Sequence, residues 1–283
     1  MARLRSFSKA AKELYISQPA VSKALKELEN QLNMQLIHRA VKGKKLSLTD
    51  GGESLFHHAR SIFAIEQAAL EDIRARTGLK KGSLVIGTST TIAGYWLAPY
   101  LALFHKKHPN ISVEVQVANT SKIEQSLLTC EIDLALVEGM PSDTNIVSQP
   151  WLTDPMNIVI PTTLSPEENQ AAWLSKQLWL LREPGSGTRQ MSLQLLDKLG
   201  ITITNSMQLG SNLAIARAVA QGMGVAILPK AVTEDLILLG KIKTLSTNNE
   251  TLMRPLYQLR YKNRPSSPAA KAFEQTLYES LQS

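Results

Sequence analysis

The sequence is poor in cysteine and in recognisable metal-ligand patterns. Its single cysteine, Cys130, excludes an intrachain disulfide and any zinc site built from several cysteines. The five histidines are scattered and show no HExxH or comparable spacing. We therefore predict no metal site and no cofactor, and a lone cysteine is typical of a reducing compartment.

Long apolar runs are also missing. No segment approaches the roughly 18 to 20 apolar residues that cross a bilayer, and the start, MARLRSFSKA, lacks the apolar stretch of a secretory signal. We expect a cytoplasmic protein with no membrane partner. The 283 residues, of which 43% are hydrophobic, suffice for a small domain followed by a larger one.

Catalytic groupings are absent as well. No Ser-His-Asp set or carboxylate pair stands out. The GSGTR segment (185–189) lacks the GxxxxGK[ST] spacing of a phosphate-binding loop, and GMGVAILP (222–229) is typical of a helix that ends before a strand. The sequence therefore predicts no catalytic residue and no enzyme.

Positive charge is concentrated at the start of the chain. Residues 1–80 hold 14 Lys and Arg against 8 Asp and Glu, a net charge of +6 out of +7 for the whole protein. A basic segment on a nearly neutral body is the electrostatic pattern of a module that binds a polyanion.

A pair of short helices is predicted inside this basic segment. Ser6 is a candidate N-cap for a helix over SFSKAAKELY (6–15). Ser17, followed by Pro19, suits the first turn of a second helix that runs to about Asn33. Its inner stripe is predicted to consist of Val21, Leu25, Leu28 and Leu32. Two helices joined by such a short turn form a helix-turn-helix.

The second helix and the segment after it supply candidate DNA contacts. Residues 37–48 favour a hairpin with a basic tip. Polar or small side chains at the helix start suit base edges, and cations suit phosphates. The predicted DNA-binding residues are Ser17, Gln18, Pro19, Ala20, Ser22, Lys23, Lys26, Arg39, Lys42, Lys44 and Lys45. A generic helix pair with a solvated basic face is the alternative, which the local charge disfavours.

A long helix is predicted next, capped by Thr49 and lasting to about Arg76. Apolar residues form one stripe along it, which is a candidate dimer seam. The stripe consists of Leu55, Ala59, Ile62, Ile65, Ala69 and Ile73.

Beyond a glycine-containing break at 77–82 the sequence alternates between strands and helices. Strands are predicted at 83–88, 111–117, 132–139, 156–161, 177–181 and 224–229, and helices near 121–130, 188–199, 212–222 and 267–281. Such alternation favours an α/β domain with one or two mainly parallel sheets.

Hydroxyl and amide side chains follow several of these strands. Strand ends of this kind meet in a cleft where small ligands bind, and helix N-termini favour an anion. The candidate effector-binding residues are Thr88, Ser89, Thr90, Thr91, Thr120, Glu138, Ser186, Gly187, Thr188, Ser211 and Asn212. Each hydroxyl taken singly also fits a helix cap. Glu138 suits either a ligand hydroxyl or amine, or a neighbouring loop, and Arg189 either the ligand or the surface.

The segments SFSKAAKELYISQPAVSKALKELENQL, LIHR and LSLTDGG resemble the winged helix-turn-helix of the LysR-type transcriptional regulators, a bacterial family. The resemblance implies a multidomain fold, in which an all-α winged helix-turn-helix and a linker helix precede a two-lobed α/β effector domain similar to periplasmic solute-binding proteins. It also implies promoter DNA, a small effector, and assembly into dimers and tetramers. Family members usually begin with one further helix, and we expect a chain extended by such a helix to bind its operator more tightly.

The predicted domains are 1–48 for DNA binding, 49–77 for the linker and dimerisation helix, and 82–283 for effector binding. Within the last, lobe I covers about 82–157 and 260–283, and lobe II about 158–259. The predicted function is transcription regulation by a small-molecule effector, an organic or inorganic anion. The rival is a solute receptor or small-molecule enzyme that carries an incidental basic helix pair.

Overall fold

Serine side chains start the first two helices in the computed structural model, which describes residues 2, 4–38, 46–76, 82–245 and 252–279. Ser6 Oγ accepts a hydrogen bond from the Lys9 N–H, and Ser17 Oγ accepts one from the Ala20 N–H, both at 3.3 Å. Both predicted caps are therefore confirmed. The first elements are α1 (Phe7–Glu13), α2 (Gln18–Leu32), β1 (Ile37–His38), β2 (Ser47–Leu48) and α3 (Asp50–Arg76).

The described chain divides into two compact units, residues 1–66 and residues 67–283. The core of the first unit is small and lies where α1 meets the start of α2. It consists of Ala10, Ala11 and Val21, with Leu4 and Phe7 packed against them.

The predicted inner stripe of α2 is only half right. Val21 is buried, but Leu28 and Leu32 are 38% and 45% exposed. The helix α1 has only seven residues, so it does not extend far enough to cover the C-terminal half of α2, which has fifteen. These two leucines therefore lie outside the core.

The strands β1 and β2, which we call the wing, lie close to the start of the long helix α3, and the backbones pack tightly there. β1 and β2 pair antiparallel, as predicted, while the basic tip at 39–45 lies outside the described residues. Thr49 Oγ1 accepts a hydrogen bond from the Gly52 N–H at 3.0 Å, which confirms the predicted cap. A Cβ on Gly52 would lie 1.9 Å from the Leu36 carbonyl oxygen, so only glycine fits.

The second unit contains the remaining strands and helices. They are β3 (Gly82–Thr88), α4 (Thr90–Tyr95), α5 (Leu97–Lys107), β4 (Ile111–Val117), α6 (Thr120–Leu128), β5 (Leu134–Glu138), β6 (Ile146–Pro161), α7 (Gln170–Ser175), β7 (Leu178–Leu181), α8 (Gly187–Lys198), β8 (Asn205–Gln208), α9 (Asn212–Ala220), β9 (Ala226–Pro229), α10 (Lys230–Leu238), β10 (Ile242–Leu245), β11 (Leu252–Tyr261) and α11 (Pro268–Glu279). Their bounds match most of the predicted segments within a few residues.

The large sheet is mixed, so the prediction of mainly parallel sheets is wrong for it. Its strand order is β10-β6-β11-β5-β3-β4, with β9 also on β6. Only β3 pairs parallel, with β4 and β5, whereas β6 and β11 pair antiparallel with each other and with their other neighbours. β7 and β8 form a separate parallel pair.

The strands β6 and β11 connect two hydrophobic regions of this unit. In one region, β3, β5 and the parts of β6 and β11 around Trp151 and Leu256 pack against α5 and α11. The aromatic residues Phe104 and Phe273 lie at its centre. In the other region, the part of β6 from Met156 to Ile160 packs together with β7 and β9 against α7 and α8. This region includes Trp173 and Trp179. We call these regions lobe I and lobe II. None of the described helices is long and apolar enough to span a membrane.

Candidate DNA-binding face and effector site

The first turns of α2 present a polar face to solvent. Ser17 and Ser22 lie exposed on it together with Gln18, Pro19, Ala20, Lys23 and Lys26. Val21, on the opposite face, anchors the helix to α1. The start of α2 is therefore packed against α1 on one face and exposed to solvent on the other, which is the arrangement that a recognition helix needs.

Three of these side chains already have partners within the unit. Ser17 Oγ caps its own helix, Gln18 Oε1 accepts a hydrogen bond from the Ser8 hydroxyl at 3.1 Å, and Lys23 lies 3.9 Å from Glu27. The contact with Ser8 uses only the amide oxygen of Gln18, so the amide N–H groups take no part in it. The predicted phosphate contacts Arg39, Lys42, Lys44 and Lys45 lie outside the described residues.

A buried ionic cluster lies where β6 and β11 cross between the lobes. Arg254 of β11 is fully buried and faces Asp154, its register partner on β6. Its Nε and Nη2 both donate to Asp154 Oδ2, at 2.9 and 2.6 Å, and its Nη1 lies 3.4 Å from Glu138 Oε1. The buried guanidinium of Arg254 therefore pairs with two buried carboxylates, those of Asp154 and Glu138.

Hydroxyl and amide groups from both lobes complete this cluster. The Thr188 hydroxyl oxygen accepts from Arg254 Nη1 at 2.8 Å and from Asn212 Nδ2 at 3.1 Å. Asn212 Nδ2 also donates to Thr91 Oγ1 at 2.7 Å. The Ser89 hydroxyl donates to Glu138 Oε1 at 2.8 Å and caps α4, so Glu138 binds a hydroxyl of its own chain. Five predicted residues thus meet in one place.

Three buried polar atoms, which belong to cluster residues or to a chain neighbour of one, have no hydrogen-bond partner in the protein. They are Thr88 Oγ1, Asp154 Oδ1 and Asn212 Oδ1. A buried polar group without a hydrogen bond is costly, so such atoms mark a place for water or a ligand. Two of the three are acceptors, which favours a ligand that carries a hydroxyl or another donor.

The environment of Asp154 shifts its ionisation. Burial raises the pKa of this carboxyl; the charge and hydrogen bonds of Arg254 oppose the shift, and the nearby Glu138 carboxylate adds to it. The net direction of the pKa is upward, because the cost of burying the charged carboxylate outweighs its stabilisation by Arg254.

The helix N-termini of α6 and α8 are not open anion sites. Thr120 Oγ1 accepts from the Gly187 N–H at 3.2 Å and donates to the Glu138 carbonyl at 3.4 Å. Ser186 caps α8 by accepting from the Arg189 N–H, and the Ser121 N–H donates to the Gly185 carbonyl. These groups fasten lobe I to lobe II at this edge, so the anion preference expected of these helix starts is already met by protein atoms.

Gly187 is part of the same close contact. A Cβ there would lie 2.2 Å from the Glu138 carbonyl oxygen. Glycine is therefore required for the approach of the α8 start to the end of β5.

The remaining predicted residues lie at the margin of the cluster. Thr90 is exposed, and its hydroxyl oxygen accepts from Arg182 Nη1 at 3.5 Å. Ser211 is half-buried and caps α9. Arg189 is half-buried and donates from Nη1 to the Arg182 carbonyl at 2.7 Å, so it acts within the chain.

Sequence reasoning missed three charged residues of the site. Asp154 and Arg254 lie in β6 and β11, outside the strands predicted from the sequence, and Arg182 directly follows β7. A charge within an otherwise apolar strand is the signal that indicates such residues, because it needs a buried partner. Among the described residues, no group of three or more His, Cys, Asp or Glu is placed to hold a metal ion.

Two family models match the chain. The model of the bacterial regulatory helix-turn-helix protein, lysR family, matches residues 1–53, and the LysR substrate binding domain matches residues 77–282. Together they account for nearly the whole chain, including both the α2 face and the interlobe cluster.

Curated relatives of similar length are regulators of transcription. HTH-type transcriptional regulator CfxR of Cupriavidus necator is 32% identical, over 99% of this chain and 88% of its own. The uncharacterized HTH-type transcriptional regulator YeiE of Escherichia coli K12 is 32% identical, over 95% of this chain and 90% of its own. Neither relative is named as an enzyme.

Solved structures share the fold. A full-length OxyR variant of Pseudomonas aeruginosa has a TM-score of 0.75 at 20% identity, with 96% of this chain and 89% of that chain covered. The CcmR regulatory domain of Synechocystis PCC6803, in complex with 2-PG, has a TM-score of 0.62 at 24% identity, with 71% and 97% covered. LysG of Corynebacterium glutamicum, with bound effector Arg, has a TM-score of 0.67 at 17% identity, with 99% and 93% covered.

Proposed function

Since the chain belongs to the LysR family of bacterial transcriptional regulators, we propose that the face of α2 reads promoter DNA and that a small effector at the interlobe cluster modulates this binding. The observation that supports effector binding is the presence of unpartnered buried oxygens on Asp154 and Asn212, two residues of the cluster around Arg254. The exposed, well-anchored start of α2 supports the DNA half.

We assign the DNA contacts to two groups. Gln18, Pro19, Ala20 and Ser22 face base edges, and Lys23 and Lys26, with the basic hairpin tip, face phosphates. Ser17 acts through its cap, because its hydroxyl oxygen already accepts the Ala20 N–H.

DNA binding is tested on duplexes that the protein itself selects from a randomised pool. Fluorescence anisotropy at several salt concentrations should show affinity that falls steeply with salt. Gln18→Ala should cost about 1–3 kcal/mol on the selected duplex alone, while Lys26→Gln should weaken selected and random duplexes alike and lower the salt slope by about one.

Lys241→Gln is the matched control, since this exposed lysine lies in the second unit. It should leave both duplex affinities unchanged. If no DNA affinity appears at low salt, the rival reading as a solute receptor is favoured.

We place the effector among Ser89, Thr188 and Asn212, near Thr88 and Asp154, within an effector domain that begins at about residue 82. Lobe I then covers about 82–157 and 260–283, and lobe II about 158–259. We propose a small anion, the ligand class expected from the sequence. The unpartnered acceptors Asp154 Oδ1 and Asn212 Oδ1 favour one that also carries a hydroxyl or another hydrogen-bond donor. The 2-PG and Arg bound to two structural relatives support a small polar effector of this size class.

A thermal-shift screen of small hydroxylated and plain anions tests this site. A ligand present at 100 times its Kd should stabilise the protein by about 2.7 kcal/mol. Thr188→Ala and Ser89→Ala should weaken that stabilisation, whereas Ser83→Ala, an exposed serine of β3, should not. Equal responses in all variants would disprove the assignment.

We also propose that α3 joins two copies of the chain, and that dimers associate into tetramers. Ile62, Ile65 and Ile73 are exposed along one stripe of this helix, with Phe63 and Leu70 at its border. An exposed apolar stripe at helical spacing suits a second helix of the same kind.

A further inference from the structure

A second charged pair lies at the edge of the effector site and has no role in the proposal above. Arg182, directly after β7, donates from Nε to Glu183 Oε2 at 2.8 Å and from Nη2 to Glu183 Oε1 at 3.0 Å. This is a bidentate fork between neighbouring residues. Such a fork is the geometry by which arginine recognises carboxylates and phosphates in general.

The pair also connects the two lobes. Arg182 Nη1 donates to Thr90 Oγ1 at 3.5 Å, and Asn119 Nδ2 donates to Glu183 Oε1 at 3.2 Å. Thr90 and Asn119 begin two helices of lobe I, α4 and α6, whereas Arg182 and Glu183 belong to lobe II. A change in the partner of Arg182 therefore changes a contact between the lobes.

The two members of the pair differ in their freedom to move. The Arg182 side chain is only 4% exposed, while that of Glu183 is 22% exposed. Glu183 can therefore turn toward solvent and be hydrated there, whereas the guanidinium stays buried and needs a partner.

We propose that Glu183 is an internal competitor of the effector: a carboxylate or phosphate group of the effector replaces the Glu183 carboxylate on the Arg182 fork and releases Glu183 to solvent. This proposal rests on the proposed effector function and names the anionic group of the ligand as the part that Arg182 binds. One charge-assisted pair is exchanged for another, and no proton is transferred.

The exchange links binding to the contact between the lobes. When Glu183 leaves the fork, its hydrogen bond from Asn119 is lost, so the occupied site differs from the empty one at the start of α6. The internal pair also lowers the apparent affinity for an anion, because only the fraction of molecules with a released fork can bind it.

The test uses the full chain and two probes, propionate and inorganic phosphate, titrated calorimetrically at constant chloride concentration. Propionate reproduces the end of a glutamate side chain. Glu183→Gln keeps the size of the side chain but removes its charge, so it should bind both anions about tenfold more tightly than the parent chain, the factor expected for loss of one charge-assisted pair. 1-Propanol, a neutral analogue, should bind neither form.

Further variants distinguish the effect of the bidentate geometry of Arg182 from the effect of charge alone. Glu183→Ala should bind propionate at least as tightly as Glu183→Gln, and Arg182→Lys, which keeps the charge without the fork, should lose the gain when combined with Glu183→Gln. Glu234→Gln, an exposed glutamate of α10, is the matched control and should bind like the parent.

The selected duplex is measured on the same preparations. If DNA binding is intact and the Glu183 variants bind anions no more tightly than the parent, or no form binds them, the competitor role is wrong. If no form binds DNA, the proposed function itself fails.

Discussion

At the scale of single residues, Arg254 is the group on which the proposed effector site depends. It reaches Asp154, Glu138 and Thr188 from a position with no solvent access. A buried ion pair adds little net stability, but the loss of one partner leaves the others as uncompensated buried charges.

We expect Arg254→Leu to lower the free energy of unfolding by about 3–5 kcal/mol, because Asp154 and Glu138 then lack their cation. Urea denaturation measures this loss. Arg260→Leu, a partly exposed arginine on the same strand, is the control and should cost far less. A loss below about 1 kcal/mol for Arg254→Leu would mean that water compensates the carboxylates.

A pH dependence follows from Glu183. Burial opposes its ionisation, but the hydrogen bonds and charge of Arg182, a backbone hydrogen bond and the Asn119 amide together hold the pKa of this carboxyl below its ordinary value of 4.5. Because the folded-state pKa is lowered, the stabilisation by the ionised carboxylate is complete above the ordinary pKa and is lost as the pH falls through the folded-state pKa.

The parent chain should therefore be more stable than Glu183→Gln at neutral pH, and the two should converge in acid. Urea denaturation of both proteins between neutral and acidic pH measures this. A difference in stability that stays constant with pH would contradict the ionic role of Glu183.

At the scale of elements, the junction between the wing and α3 depends on a glycine pair. Gly51 and Gly52 occupy the first turn of α3. The structure gives them a packing role, because Met34 and the Leu36 carbonyl lie where their Cβ atoms would be.

We expect Gly52→Ala to destabilise the first unit by about 1–3 kcal/mol, since the carbonyl of Leu36 is backbone and cannot move aside cheaply. The control is Gly94→Ala within α4, where nothing lies within 4 Å of the added Cβ. Thermal unfolding of both variants should show a lower Tm for the first alone. An equal Tm for the two variants would show that the wing shifts freely.

The crossing strands are the second element that sets the site. Their antiparallel register places Arg254 opposite Asp154, so a single pairing both joins the lobes and builds the ionic cluster. A shift of β11 by one residue in this register would turn Arg254 to the other face of the sheet, away from Asp154.

At the scale of the whole molecule, the long helix α3 bears an exposed apolar stripe. Ile62 and Phe63 are 65% and 66% exposed on it. Covering such side chains with a second copy of the helix releases their apolar surface from water, which favours association.

Ile62→Glu should shift the protein toward smaller species in sedimentation velocity, because a charge within an apolar seam is costly to bury. Ala64→Glu, two residues further and on the opposite side of the helix, is the control and should leave the assembly unchanged. If both variants sediment like the parent, α3 is not the seam.

Much of the architecture was predictable from local patterns in the sequence. Capping residues at Ser6, Ser17 and Thr49 and the helical spacing of apolar residues identified the first three helices. Alternation of strands and helices indicated the α/β part, and the dense motif at the start indicated the family. These features are local, because caps and periodicity depend on neighbours within a few residues.

Only the tertiary structure decided the pairing of distant residues. Arg254 lies 100 residues from Asp154 along the chain, and Asn212 lies 121 from Thr91, so no local pattern predicts their contacts. The helix starts expected to receive an anion were instead satisfied across the lobes, at Thr120 and Gly187. The sequence by itself determined the modules and the chemical groups at their strand ends; the packing of the lobes determined which of those groups remain open to a ligand, because that depends on which partners the fold brings within reach.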